Sequence, residues 1–88
     1  MNLEKIKTMT NLADSGQDDF VTYWANYACL MLYEQGVSQT FISSDNSNGI
    51  IASIVTELID NNGEISNTTR DLIKSLRVGH PHSEDFNV

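Results

Sequence analysis

Apolar residues recur at helical spacing in four stretches of this chain, and the breaks between them fall at Gly, Asn and Ser clusters. In the first stretch Leu3, Ile6, Met9 or Thr10, and Ala13 share a face, with Asn2 as N-cap and Asp14-Ser15-Gly16 as the break. Residues 16 to 35 then form the longest predicted helix. Ser15 and Asp18 have the spacing of a capping box, Asp18 and Asp19 occupy the first turn where the macrodipole favours anions, and Gly36 supplies a left-handed stop. Phe20, Trp24, Ala28 and Met31 lie on one side of this helix, while Val21, Tyr23, Tyr27, Leu30 and Tyr33 cover most of the rest. A helix apolar all round is expected to be central, with the others packed on it.

Residues 37 to 48 are rich in Ser, Thr and Asn and read as a polar connector pinned by Phe41 and Ile42. Ser47 or Asn48 is placed to cap the next helix, in which Ile50-Ile51, Ile54-Val55 and Leu58-Ile59 repeat every four residues and leave Glu57 and Asp60 to water. Asn61-Asn62-Gly63 ends it. Ser66 caps a last helix with Leu72, Ile73 and Leu76 on its buried face and Arg70, Lys74 and Arg77 on the other. Beyond Gly79 periodicity is lost. The expected fold is all-α: a compact bundle of about four short helices, the long aromatic-rich one central among them, with residues 1 to 79 as one domain and 80 to 88 as a flexible tail.

Charge changes the picture. Between Lys7 and Arg70 lie sixty-two residues without a Lys or Arg but with eight Asp and Glu, and the net charge of the 88-residue chain is −7. Such a surface repels phosphate backbones and acidic membranes and favours encounter with basic partners. The longest uncharged apolar-rich stretch, residues 20 to 33, has fourteen residues, short of the roughly 20 needed to cross a bilayer. The N-terminal residues lack the continuous apolar segment of a secretory signal, and a single cysteine, Cys29, fits a reducing compartment, so the expected location is cytoplasmic.

Candidate chemistry is sparse. Cys29 sits in the most apolar helix, where a thiol behaves as a small hydrophobe of raised pKa. Asp18 and Asp19 are adjacent, hence about 100° apart on a helix, a poor geometry for a carboxylate acid and base pair. His80, His82, Glu84 and Asp85 could hold a divalent ion only by ordering the tail, so they read as solvated. The segment Asn61-Asn62-Gly63-Glu64-Ile65-Ser66, followed by Thr69-Arg70-Asp71-Leu72-Ile73-Lys74-Ser75-Leu76, resembles the first two helices of a helix-turn-helix unit of bacterial regulators. That resemblance implies a recognition helix next, and the chain has Glu84 and Asp85 where contact residues belong. The same loop also resembles the middle of an EF-hand, with Asp60 and Asn62 at ligand positions but Leu58 and Thr69 where the first and last ligands would stand.

These features point away from catalysis, cofactors, metals, membranes and direct nucleic-acid binding. The expected function is a non-enzymatic protein-binding module of phage or mobile-element type, an inhibitor or adaptor of a basic, nucleic-acid-handling protein. Its expected contact residues are Asp18, Asp19, Tyr23, Tyr27, Glu34, Glu57 and Asp60. Five of the seven aromatic residues lie in the long helix, and three tyrosines there are hard to bury because each hydroxyl needs a partner. Part of that surface is therefore expected to meet a partner protein or a second copy of the chain. The alternative reading is a small bacterial transcriptional or signalling regulator built on the Gly63 hairpin as a degenerate, dimeric helix-turn-helix.

Overall fold

The structure is a computed structural model that describes residues 1–10 and 18–86. Five α-helices and two 3-10 turns make up the described chain: α1 (Leu3–Met9), α2 (Asp18–Glu34), α3 (Gln39–Ser43), a turn at Asp45–Ser47, α4 (Asn48–Asp60), α5 (Asn67–Gly79) and a turn at His82–Phe86. The all-α expectation holds, with one helix more than expected because residues 37 to 48 fold into α3 and a turn. The Ser15 to Asp18 capping box and Ala13 lie outside the described residues or side chains. Among the described residues no helix is long and apolar enough to cross a membrane.

Local chemistry explains most boundaries. Asn2 accepts from Lys5 N at the start of α1, Ser38 accepts from Phe41 N at the start of α3, and Ser66 accepts from Thr69 N at the start of α5. α2 ends in a Schellman motif: Gly36 has φ 105°, its N–H donates to Tyr33 O, and Val37 N–H donates to Leu32 O. α4 ends similarly on Asn62 at φ 54°, with Gly63 N–H donating 2.8 Å to Leu58 O, so the loop that resembles an EF-hand is a helix C-cap. Ser47 and Asn48 do not cap α4. Ser47 Oγ instead donates to the carbonyls of Ile42 and Ser44, and Asn48 Oδ1 accepts from Asn2 N–H at 2.7 Å, which ties α1 to α4.

The core is built between α2 and α4. Val21, Ala25, Ala28 and Leu32 form one fully buried row on α2, and Ile51, Ile54, Val55 and Leu58 form its counterpart on α4. α4 packs against α1 and α2, and α2 packs against α1, α3 and α4, so these two helices share the centre of the bundle. α2 is central, as expected, but it is not covered on every side, since the Cα envelope measures 40 × 28 × 16 Å. A slab that thin does not enclose a helix about 10 Å across on every side. Phe20, expected in the core, is accordingly exposed, as is Leu72 on α5, where Ile73 is buried and Leu76 half-buried.

Residues 80 to 86 correct the expectation of a flexible, solvated tail. Ser38 N–H donates to His80 O at 2.8 Å and Val37 pairs with Pro81 in an isolated antiparallel bridge. The next turn aims two carboxylates at the start of α3. Asp85 accepts from the backbone N–H groups of Gln39 (2.9 Å) and Thr40 (2.7 Å) and from the Thr40 hydroxyl, while Glu84 accepts from Ser38 Oγ (2.6 Å) and lies 2.9 Å from His80 Nδ1. His80 stacks on Phe41 and His82 on Tyr33, with ring centroids 4.4 and 4.3 Å apart. A five-residue helix is too short to persist alone, and this clasp satisfies the first-turn donors that α3 would otherwise leave open.

Two predictions follow from this packing. Leu32 is fully buried and Leu30 is 64% exposed on the same helix, so Leu32→Ala should lower the unfolding free energy by about 2–5 kcal/mol and Leu30→Ala by under about 0.5 kcal/mol in urea titrations. The N–H donors of Gln39 and Thr40 hold the Asp85 carboxyl below its usual range, and the Ser38 hydroxyl, then His80, do the same for Glu84. Depressed folded-state values stabilise the fold above the unfolded carboxylate range of about 4, and that contribution is lost as pH falls through the folded values. Asp85→Ala should therefore unfold at lower denaturant than the parent at neutral pH, and the gap should close in acid.

Candidate functional site

Once Val21, Ala25, Ala28 and Leu32 face inward, the 3.6-residue period sends Phe20, Tyr23, Tyr27, Leu30 and Glu34 to the opposite side of α2. This outer strip is unusually apolar for exposed surface: Phe20 and Tyr27 are each 44% exposed, Tyr23 62% and Leu30 64%. Trp24 anchors it from the edge, half-buried. Phe20, Tyr23 and Tyr27 meet its ring edge to face at centroid distances of 6.2, 5.2 and 5.6 Å, a geometry that suits the ring quadrupoles. Trp24 Nε1 is buried without a hydrogen-bond partner among the described residues. The strip is thus held stiff from behind while its outer rings face water.

Beside the strip runs a cleft of about 670 Å³ between the C-terminal half of α2 and α5. Tyr27, Met31 and Glu34 form one wall and Arg70, Ile73 and Lys74 the other, with Glu64 at the end nearer the start of α5. Two glycines mark where its walls approach each other. A Cβ on Gly63 would lie 3.6 Å from the Trp24 ring, and one on Gly36 would lie 2.6 Å from Cδ of Arg77, so α5 runs alongside α2 in the same direction. Arg70, Lys74 and Arg77, at i, i+4 and i+7, therefore line the side of α5 nearest the strip. Within the described residues none of the three forms an ion pair within 4 Å, although they are three of the five cationic side chains in the chain.

The residues expected from sequence to contact a partner separate into two groups. Asp19, Tyr23, Tyr27 and Glu34 are exposed and share the outer half of α2, with Asp18 opening the same helix. Glu57 and Asp60 belong to α4 and do not join them. Asp60 is exposed near the end of α4, whereas Glu57, expected to face water, turns its carboxylate onto the cap of α5. Ser66 Oγ donates to Glu57 Oε1 at 2.7 Å, and the hydroxyls of Ser66 and Thr69 hold the Glu57 carboxyl below its usual range. The second oxygen is buried, so Glu57 serves the α4 to α5 junction.

The contact residues expected from the sequence do not include Phe20 and Leu30, which the fold exposes on the same strip, and do not bring the cations of α5 to the aromatic helix. The signal was present in the row of Val21, Ala25, Ala28 and Leu32, whose two alanines mark the face of closest helix approach. Tyr33 is absent from the strip because its ring is turned to His82. Cys29 lies on the flank of α2, half-buried, and burial pushes its thiol up; Sγ donates to Met1 Sδ at 3.5 Å.

The cleft geometry yields a prediction. Gly36→Ala combines a left-handed φ with a clash against the Arg77 stem, so it should cost about 1–2 kcal/mol in urea unfolding, whereas Gly49→Ala, which meets open space inside α4, should be neutral or stabilising. No family model, no curated protein and no solved structure matches this chain.

Proposed function

We propose that this protein is a small acidic protein-binding module without catalytic activity, an inhibitor or adaptor whose contact surface is the outer strip of α2. The observation that carries this reading is the row Phe20, Tyr23, Tyr27 and Leu30, each at least 44% exposed along one side of a single helix. Contiguous apolar surface of this kind, rich in Tyr and Trp and rimmed by Asp19 and Glu34, has the composition of an interface core. A net charge of −7 steers a basic protein toward it, so a nucleic-acid-handling target of phage or mobile-element biology fits the long-range field. A literal mimic of DNA does not, since duplex DNA carries one charge per about 1.7 Å and the acids here are sparse.

The second reading, a bacterial regulator with a degenerate helix-turn-helix hairpin, draws support from α4, the Gly63 turn, α5 and the row Arg70, Lys74 and Arg77. It requires a recognition helix after α5, and the residues that follow form a five-residue 3-10 turn with Glu84 and Asp85 bonded to α3.

Affinity capture from host lysate at low and moderate salt separates the two. Under the first reading a basic protein is retained at low salt, weakened at moderate salt, and lost with Tyr23→Ala plus Tyr27→Ala, while Arg70→Ala plus Lys74→Ala has the smaller effect. The reverse ranking of the two pairs, together with a DNA mobility shift at low salt, would favour the regulator.

A further inference from the structure

The cleft between α2 and α5 carries charges of both signs that do not neutralise each other. Glu34 on the α2 wall and Glu64 at the end nearer the start of α5 supply two carboxylates, and Arg70 and Lys74 on the α5 wall supply two cations. Among the described residues none of these four side chains forms a hydrogen bond or an ion pair within 4 Å. Glu57, Glu84 and Asp85, by contrast, are each tied to hydroxyl or backbone donors. Between the charges the lining is apolar: Ile73 is buried, and Met31 and Ile65 are half-buried. At about 670 Å³ the cleft has the size of a small-ligand site, and it has the usual composition of one, an apolar surface with a few polar groups converging on it.

We infer that this cleft binds a short aliphatic peptide with both chain ends free. The balance of charge selects that class. Two acids and two bases leave the lining neutral in a chain of net charge −7, so a ligand of one sign meets as much repulsion as attraction. A nucleic acid would press its phosphates on Glu34 and Glu64, whereas a zwitterion answers both signs at once. Arg70 and Lys74 stand one helical turn apart, so their heads converge on one carboxylate, which the Arg70 fork accepts in bidentate fashion. Glu64, at the end of the cleft, takes the ammonium, and Glu34 on the facing wall has acceptor oxygens for the peptide N–H groups. From its first residue to Lys74, α5 rises roughly 10 Å, the length of about three extended residues. Their aliphatic side chains would lie on Met31, Ile65 and Ile73. The site goes beyond the outer strip of α2, since Phe20, Tyr23 and Leu30 do not line it.

Titration of the full chain with the tripeptide Leu-Ala-Leu, followed by the NMR signals of the Met31 and Ile73 methyl groups, tests this. The free peptide should shift both signals, and its C-terminal amide and its N-acetyl form should each bind about tenfold more weakly or worse. Arg70→Gln with Lys74→Gln should erase the preference for the free carboxylate and keep the preference for the free amine, and Glu64→Gln should do the reverse. All three positions are exposed, so helicity and melting temperature should not change. Tyr23→Ala, on the strip and outside the cleft, should leave peptide affinity as it is, which separates failure of this site from failure of the protein-binding strip. Unmoved methyl signals at millimolar peptide, equal affinity for the three peptide forms, or a selectivity that survives the substitutions overturns the proposal. Displacement of the peptide by a short single-stranded oligonucleotide would also overturn it and make the cleft a phosphate site.

Discussion

The contact between α2 and α4 is the interaction on which the rest of the molecule depends. Ala25 and Ala28 keep the α2 side of this contact narrow, so the bulk of the core is supplied by Ile51, Ile54, Val55 and Leu58 across from it. This decides how α2 is rotated, and the rotation decides everything on its far side. With the small residues turned inward, the large aromatic ones have nowhere to go but outward, and a domain only 16 Å thick offers them no second layer. The exposed strip is thus the geometric counterpart of the core.

Polar residues do the remaining fixing, through bonds between segments distant in sequence. Asn48 holds the start of α1, Glu57 holds the cap of α5, and Glu84 and Asp85 hold the start of α3. Asn48 and Asp85 close backbone donors that a helix start cannot satisfy internally, and Glu57 and Glu84 accept the hydroxyl protons of the capping residues Ser66 and Ser38. Short helices joined by such bonds behave as parts of one body, since α3, with five residues, has little stability of its own. The charges at these joints serve structure, while Asp19, Glu34, Lys74 and Arg77 remain available at the surface for intermolecular contacts.

Helix existence, the Asn2, Ser38 and Ser66 caps and the left-handed stop at Gly36 are consequences of local chemistry, and of these only the Ser38 cap, with α3 itself, went unread in the sequence. The sequence by itself determined an all-helical chain, its acidic balance, and the candidacy of Tyr23, Tyr27, Asp19 and Glu34, because these depend on residue type and on periodicities of a few residues. Only the tertiary structure decided which face of α2 is buried, since periodicity alone does not rank two apolar faces of one helix. It also brought Arg70, Lys74 and Arg77 beside the aromatic strip, withdrew Glu57 into the α5 cap, and docked residues 80 to 86 on α3. Those outcomes depend on contacts across up to 46 residues of sequence, whose energies no local pattern records.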